Sequence, residues 1–274
     1  MTAPPPRRAA VLGSPIAHSL SPVLHRAAYR ELGLPWRYDA IEVTPQQLPQ
    51  FLSGLDSSWA GLSLTMPLKE AVLAELDDIS ELAATVRSVN TVTWDDGRRR
   101  GDNTDVAGIV AALREAGAPA RPGTAAVLGG GATARSAVAA LAQLGCGEVV
   151  AYTRRPEAGE ELVAVGAAVG LTVSAARWQH AAEGLLADVV VATTPAGAAD
   201  ELAGSVPAAA GSLLDVVYHP WPTALAAAWH THGGLVAGGG DLLLWQAVDQ
   251  VRLMTGVAGP VEAMRAALHA ALGG

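Results

Sequence analysis

From Thr124 onward the chain repeats one pattern, a short Val-rich apolar run followed by an Ala-rich stretch with helical spacing. The runs read "TAAVLG" from Thr124, "EVVAYT" from Glu148, "LTVSAA" from Leu171, "DVVVAT" from Asp188, "LLDVVY" from Leu213 and "GLVAGG" from Gly234. Strands that are apolar along their whole length suit a sheet covered on both faces, and parallel pairing requires a helix-length crossover between them. Six buried strands separated by helices therefore predict a doubly wound parallel sheet over residues 106–240. The spacing is that of a nucleotide-binding domain.

The turn after the first of these runs sharpens that reading. "VLGGGATARSAVAALAQLG" places Gly129, Gly131 and Ala134 in a G-x-G-x-x-A pattern between a strand and a helix. The first glycine permits a tight turn, the second lets backbone approach a pyrophosphate, and the small third residue packs helix on strand. At the end of the next strand an acid would bind the ribose hydroxyls of NAD, whereas Arg accommodates the extra phosphate of NADP. Thr153, Arg154 and Arg155 stand there, and the first carboxylate is Glu157. The cofactor expected is NADP.

A smaller α/β region precedes this domain, with strand-like "AAVLGS", "YDAIEV", "GLSLT" and "NTVTW" and the helical stretches "PVLHRAAYRELG" and "KEAVLAELDD". It is expected to span residues 1–105. Two more helical stretches, "DLLLWQAVDQVRLMTG" and "PVEAMRAALHAALGG", fill residues 241–274 and are expected to pack back on the first lobe.

Composition closes off several classes. No apolar run approaches the roughly 18 residues of a membrane-spanning helix, although half of the residues are apolar. Net charge is -8 and the densest basic run, "GRRRGD", is short and ends in an acid. Arg98 to Arg100 read as a solvated hairpin edge, and no nucleic-acid groove is expected. Cys146 is the sole cysteine and the start "MTAPPPRRAAVLG" lacks a leader's apolar stretch, so a cytoplasmic protein is expected. The seven His show no metal-binding spacing; His230 and His232 point to different sides of a helix. No G-x-S-x-G nucleophile elbow is present. Trp221, Trp229 and Trp245 read as packing residues.

The chain uses Arg seventeen times and Lys once, at Lys69 in "LTMPLKE". Only the ammonium of the two loses its proton readily, so a lone Lys in an Arg-using chain points to proton transfer; codon bias explains it as well. Asn occurs only as Asn90 and Asn103, in the same lobe. Ser21 before Pro22 reads as an N-cap with its first-turn proline, and Gly33 closes that helix. Ser19 and Ser21 thus flank a helix start, where unpaired N–H groups favour an anion such as a small carboxylate.

In order along nearly the whole chain stand "GSPIAHSLSP", "LTMPLK", "VNT", "GDNTD", "LGGGATARSA", "TTPAG", "DVVYHPWPT" and "DLLLWQA". With these motifs the chain closely resembles the shikimate dehydrogenase family. That resemblance implies an oxidoreductase acting on a CH–OH group, which reduces 3-dehydroshikimate to shikimate with NADPH in a cleft between two lobes, within aromatic amino-acid biosynthesis. Carried over by motif, Lys69 and Asp105 are the catalytic pair, and Ser19 and Ser21 hold the substrate carboxylate. Thr65, Asn90, Asp105, Tyr218 and Gln246 line the substrate site. Cofactor contacts fall on Gly129, Gly130, Gly131, Ala132, Thr133, Thr153, Arg154, Arg155, Val216 and Gly239, with Glu81 near the nicotinamide. No metal is implied, and the state expected is monomer or homodimer.

The chain departs from the family pattern at Ser63-Leu64-Thr65, where Asn-Val-Thr is usual, at Ala192 before "TTP", and at Asp241-Leu242 before the helix carrying Gln246. The first and third are expected to retune the substrate pocket. The rival readings are a quinate or quinate/shikimate dehydrogenase and a non-catalytic protein that senses shikimate-like acids or NADP.

Overall fold

The computed structural model of the chain describes residues 5–273. Residues 1–4, part of the start read above for a leader, and Gly274, which ends the last helical stretch, lie outside them. The chain divides into two compact units. One takes the residues up to Thr104 and those from Leu244 on; the other is Asp105–Leu243.

In the first unit, strands β1 (Arg8–Gly13), β2 (Arg37–Glu42), β3 (Trp59–Leu64), β4 (Asp78–Ile79), β5 (Thr91–Asp95) and β6 (Arg98–Asp102) form one mixed sheet. Its order is β2-β1-β3-β5-β6-β4. β1 runs parallel to β2 and β3, while β5 is antiparallel to both β3 and β6. Helices α1 (Ser21–Glu31), α2 (Leu48–Ser53), α3 (Leu68–Ala71) and α4 (Glu81–Thr85) connect them. Every residue of β3 is buried, and Leu12, Leu62, Leu64, Leu68, Val72, Val89 and Val92 pack into the core on its face.

Two expectations for this unit change. "KEAVLAELDD" is not one helix: α3 gives way to a 3-10 turn, Val72–Glu75, and Asp78 opens β4. The reason lies in pairing, because Asp78 and Ile79 bond alongside Arg100 and Gly101 of β6. The Arg run is a hairpin arm, turned by Asp96 and Gly97, both at positive φ, the two-residue geometry that Asp-Gly favours. It is not an edge, since β4 lies outside it.

The second unit opens with α5 (Asp105–Glu115), followed by β7 (Thr124–Leu128), α6 (Ala132–Gln143), β8 (Glu148–Thr153), α7 (Pro156–Ala168) and β9 (Thr172–Arg177). Then come β10 (Val189–Ala192), β11 (Ser212–Asp215), α8 (Ala224–Thr231) and β12 (Leu235–Ala237). All pairings are parallel, in the order β12-β11-β10-β7-β8-β9. The doubly wound sheet is as expected, and its order reverses between β7 and β10, the place where such sheets bind ligands. Not all six strands are buried: β9 is largely exposed and Leu235 of β12 is 44% exposed, because both are edges. Two of the links, Trp178–Leu186 and Asp200–Ser205, are 3-10 rather than α-helical. Trp229 is fully buried and its indole N–H donates to the Gly211 carbonyl, whereas Trp221, expected to pack, is 43% exposed.

The last helices are α9 (Gly239–Thr255) and α10 (Val261–Leu272). Within the first unit α10 packs on α1. Met254 of α9 fills the space over Gly61 of β3, where a Cβ would stand 2.5 Å from its Cγ. Among the described residues no helix is long and apolar enough to cross a membrane.

Candidate active site

The strand directions bring four turns to one edge of the first sheet: those after β1, β3 and β6, and the one before β5. Backbone bonds tie them together. Thr65 N–H donates to the Leu12 carbonyl at 2.9 Å, Ser14 to Met66 at 3.2 Å, Leu64 to Asn90 at 2.8 Å and Asn90 to Asp102 at 3.1 Å. The first two turns approach so closely that a Cβ on Gly13 would lie 2.5 Å from Thr65 Cγ2. From Thr65, whose carbonyl accepts from Leu68 N–H at 2.8 Å, the chain enters α3, which carries the half-buried Lys69. The Lys69 carbonyl accepts from Val89 N–H at 2.9 Å, so its position is coupled to the turn holding Asn90.

Asn90 is 1% exposed and has a determined orientation. Its Oδ1 accepts from the Thr104 N–H at 2.8 Å and the Thr91 hydroxyl at 2.9 Å. Both are donors, so its Nδ2 must point the other way, to Thr104 Oγ1 at 2.9 Å and Gln246 Oε1 at 3.4 Å. Gln246, brought by α9, thus meets Asn90 across 156 residues of sequence. Asn103, the other asparagine, donates to the Ser88 carbonyl at 2.8 Å and serves the loop itself.

Ser19 and Ser21 lie after β1 as expected, but Ser21 is not the cap. Leu20 takes that place, because Val23 and Leu24 N–H both donate to its carbonyl, and no side chain caps the end. Ser21 is the first helical residue, and its N–H donates to Ser19 Oγ at 3.3 Å. Gly33 does end the helix, with φ +64°. Glu81 is an exposed first-turn residue of α4, which is capped by Ser80. Ser63, expected to retune the pocket, instead faces the interior at 3% exposure.

Asp105 begins α5 in the second unit, one residue beyond Thr104, and is 5% exposed. There the glycine turn joins β7 to α6. Gly129 has φ +116°, and a Cβ on it would meet Thr193 Oγ1 at 2.5 Å. A Cβ on Gly130 would stand 2.7 Å from Ala158 and 3.1 Å from Thr153 Cγ2, so turn and β8 end are in contact. Gly131 is different: a Cβ there meets nothing within 4 Å, and it opens α6 without a side-chain cap. Ala132 and Thr133 form the first turn and Ala134 packs at 0% exposure.

An uncapped helix start with bare backbone before it fits the pyrophosphate of a dinucleotide. Thr153 is buried and its hydroxyl donates to the Arg155 carbonyl at 2.9 Å, which turns Arg154 and Arg155 outward as exposed cations. On the far side of β10, a Cβ on Gly239 would run into the Val216 carbonyl, so these two backbones also touch. Tyr218, half-buried just beyond β11, has its phenol pKa pushed up by burial and stays protonated. Asp241 lies inside the first turn of α9, not before it, and its Oδ2 accepts from Gly238 N–H at 2.9 Å. Among the described residues no group of three His, Cys, Asp or Glu is placed to hold a metal.

Tyr38, Thr104 and Gln250 escaped the sequence reading although each is buried among these residues. The signal for Gln250 was its i,i+4 spacing from Gln246, which puts both amides on one helix face.

Two family models match the chain: the shikimate dehydrogenase substrate binding domain over residues 11–92 and the shikimate 5'-dehydrogenase C-terminal domain over residues 241–269. The shikimate dehydrogenase (NADP(+)) of Desulfitobacterium hafniense is 36% identical over 270 residues, covering 96% of this chain and 97% of the relative. The crystal structure of Mycobacterium tuberculosis shikimate dehydrogenase superposes with a TM-score of 0.90 at 43% identity, over 97% of this chain and 100% of that one. The Thermus thermophilus enzyme, solved in complex with NADP(H) and shikimate, has a TM-score of 0.85 at 35% identity, over 97% and 99%.

Proposed function

The chain belongs to the shikimate dehydrogenase family, and from that premise we propose that it catalyses the NADP-linked interconversion of 3-dehydroshikimate and shikimate. The observation that carries the reading is the bond from Asn90 Nδ2 to Gln246 Oε1, at the same sheet edge that bears Thr65 and Lys69. Two side-chain amides, a hydroxyl and an ammonium at one edge suit a polyhydroxylated acid that must exchange a proton.

NADPH, when bound, supplies the hydride that reaches the ring ketone carbon. The chain supplies the rest. Lys69 holds a positive charge and a proton at the oxygen that becomes an alkoxide, stabilising it as the charge develops. Asp105 accepts from a neighbouring substrate hydroxyl and shares the acid–base role with Lys69. Ser19 and Ser21 take the carboxylate at the start of α1, and Thr65, Asn90, Tyr218 and Gln246 fix the remaining hydroxyls. Gly129 to Thr133, together with Val216 and Gly239, bring backbone close to the cofactor. Thr153, Arg154 and Arg155 take its ribose phosphate, with Glu81 at the nicotinamide side.

Oxidation of shikimate and of quinate, each with NADP and with NAD, tests the reading in four assays. Shikimate with NADP is expected to be fastest. Faster oxidation of quinate with NAD would assign the chain to the sister substrate, and ligand binding without NADPH consumption would make it a sensor.

A further inference from the structure

Behind the proposed substrate residues runs a chain of buried polar side chains to which none of those roles assigns a purpose. Tyr38 is 0% exposed, and its hydroxyl donates to Ser63 Oγ at 2.6 Å. Ser63 donates to Gln250 Oε1 at 2.7 Å. The Gln250 amide donates to the Asn90 carbonyl at 3.0 Å and to Thr91 Oγ1 at 3.1 Å. Thr91 then donates to Asn90 Oδ1 at 2.9 Å.

Only one set of directions satisfies all of these links. The Asn90 carbonyl only accepts, so Gln250 must turn Nε2 toward it and Oε1 toward Ser63. Oε1 has no proton to give, so Ser63 spends its single proton there and must receive from Tyr38. Thr91, already receiving from Gln250, passes its own proton on to Asn90. His25 reinforces the arrangement, since its Nε2 lies 3.2 Å from Gln250 Oε1 and its ring stacks on Tyr38 at 4.0 Å between centroids. A buried network satisfied at every member holds one geometry, because any reversal leaves a polar group unpaired.

We propose that Ser63 and Gln250 are positioning residues for shikimate binding: they fix the proton directions that hold the Asn90 amide in one orientation, with Nδ2 aimed along the edge that receives the substrate. The inference rests on the functional reading given above, in which Asn90 meets the substrate. It relocates the effect of the Ser63 departure from the pocket surface to the layer behind it. Asn90 keeps the Thr104 N–H on its Oδ1 when the chain is cut, so the expected effect is a weakening and not a loss.

Ser63→Ala removes the donor to Oε1 with little change in volume, and Gln250→Met removes both amide donors while filling the same space. In steady-state kinetics each is expected to raise KM for shikimate by about fivefold to tenfold, in keeping with one weakened hydrogen bond. KM for NADP and kcat should stay within about twofold. A purely structural role would lower the melting temperature without this split between substrate and cofactor. Normal wild-type turnover with unchanged shikimate KM in both variants overturns the proposal alone. Absence of shikimate turnover by the wild type overturns the functional reading and the proposal with it.

Discussion

Gly129 lies so close to Thr193 that a Cβ placed on it would stand 2.5 Å from the threonine hydroxyl, which already donates to the Leu128 carbonyl at 3.0 Å. Gly129 also has φ +116°, a backbone conformation that favours glycine. Gly129→Ala therefore combines strain with a clash and is expected to destabilise the chain by about 2 kcal/mol or more. Gly131, two residues on, meets nothing within 4 Å. Gly131→Ala should leave stability within about 0.5 kcal/mol while weakening NADPH binding by about tenfold. Thermal melts and a fluorescence titration of both variants check this, and equal stability losses would contradict it.

Lys69→Ala is expected to lower kcat by roughly 10²- to 10⁴-fold, the usual range for a lost general acid, with only a modest change in shikimate KM. Lys69→Arg should recover little, because the guanidinium keeps its proton at every working pH. Near-normal turnover in either variant would remove Lys69 from the proposed mechanism.

Arg154 and Arg155 are exposed, and Arg155 precedes α7 without capping it. Replacing both with Ala should change stability by no more than about 0.5 kcal/mol. KM for NADP is expected to rise by about tenfold or more while KM for NAD barely moves, since only the phosphate loses its partners. Parallel kinetics with the two cofactors measure the difference, and a proportional loss for both would sink the assignment.

His25 is wholly buried against Tyr38, Tyr29 and Gln250, and burial lowers its pKa from 6.5 to about 3. Between those values the unfolded chain takes up a proton that the folded chain does not. Stability from this group is therefore complete above about pH 6.5 and falls as pH drops toward 3, by about 1.4 kcal/mol per pH unit. Urea unfolding at about pH 7 and about pH 5 should show a wild-type loss roughly 2 kcal/mol larger than that of His25→Gln. Identical losses would place the imidazole outside this linkage.

The second unit's sheet is legible because each strand carries its own apolar run and several of the turns carry glycine, so local pattern and tertiary place agree. "RRRGD" shows only a hairpin arm and "DI" sits in a helical pattern, since β6 takes its strand form from pairing along β5 and β4 takes its own from β6. Among the site residues, Lys69 and Asn90 stood out by scarcity, and the family motifs supplied their proposed roles. Tyr38 and Gln250 did not stand out, and Ser63 did so only as a departure from the family pattern. The Ser63–Gln250 bond joins residues 187 positions apart, and nothing local marks a serine or a glutamine as an inward-facing donor. The start of α1 differs for a local reason: Val23 and Leu24 N–H both bond to the Leu20 carbonyl, one residue before the cap that Ser21-Pro22 advertises.

One of the two units is continuous in sequence and the other is not, and this sets an order during synthesis. Asp105–Leu243 has all its strands once β12 has emerged. The first sheet has its six strands by Asp102, yet Gly61 waits for Met254 and Asn90 waits for Gln246 and Gln250. A ribosome must therefore deliver nearly the whole chain before the edge bearing Asn90 is complete, so a nascent chain acquires its cofactor-side fold before its substrate-side geometry.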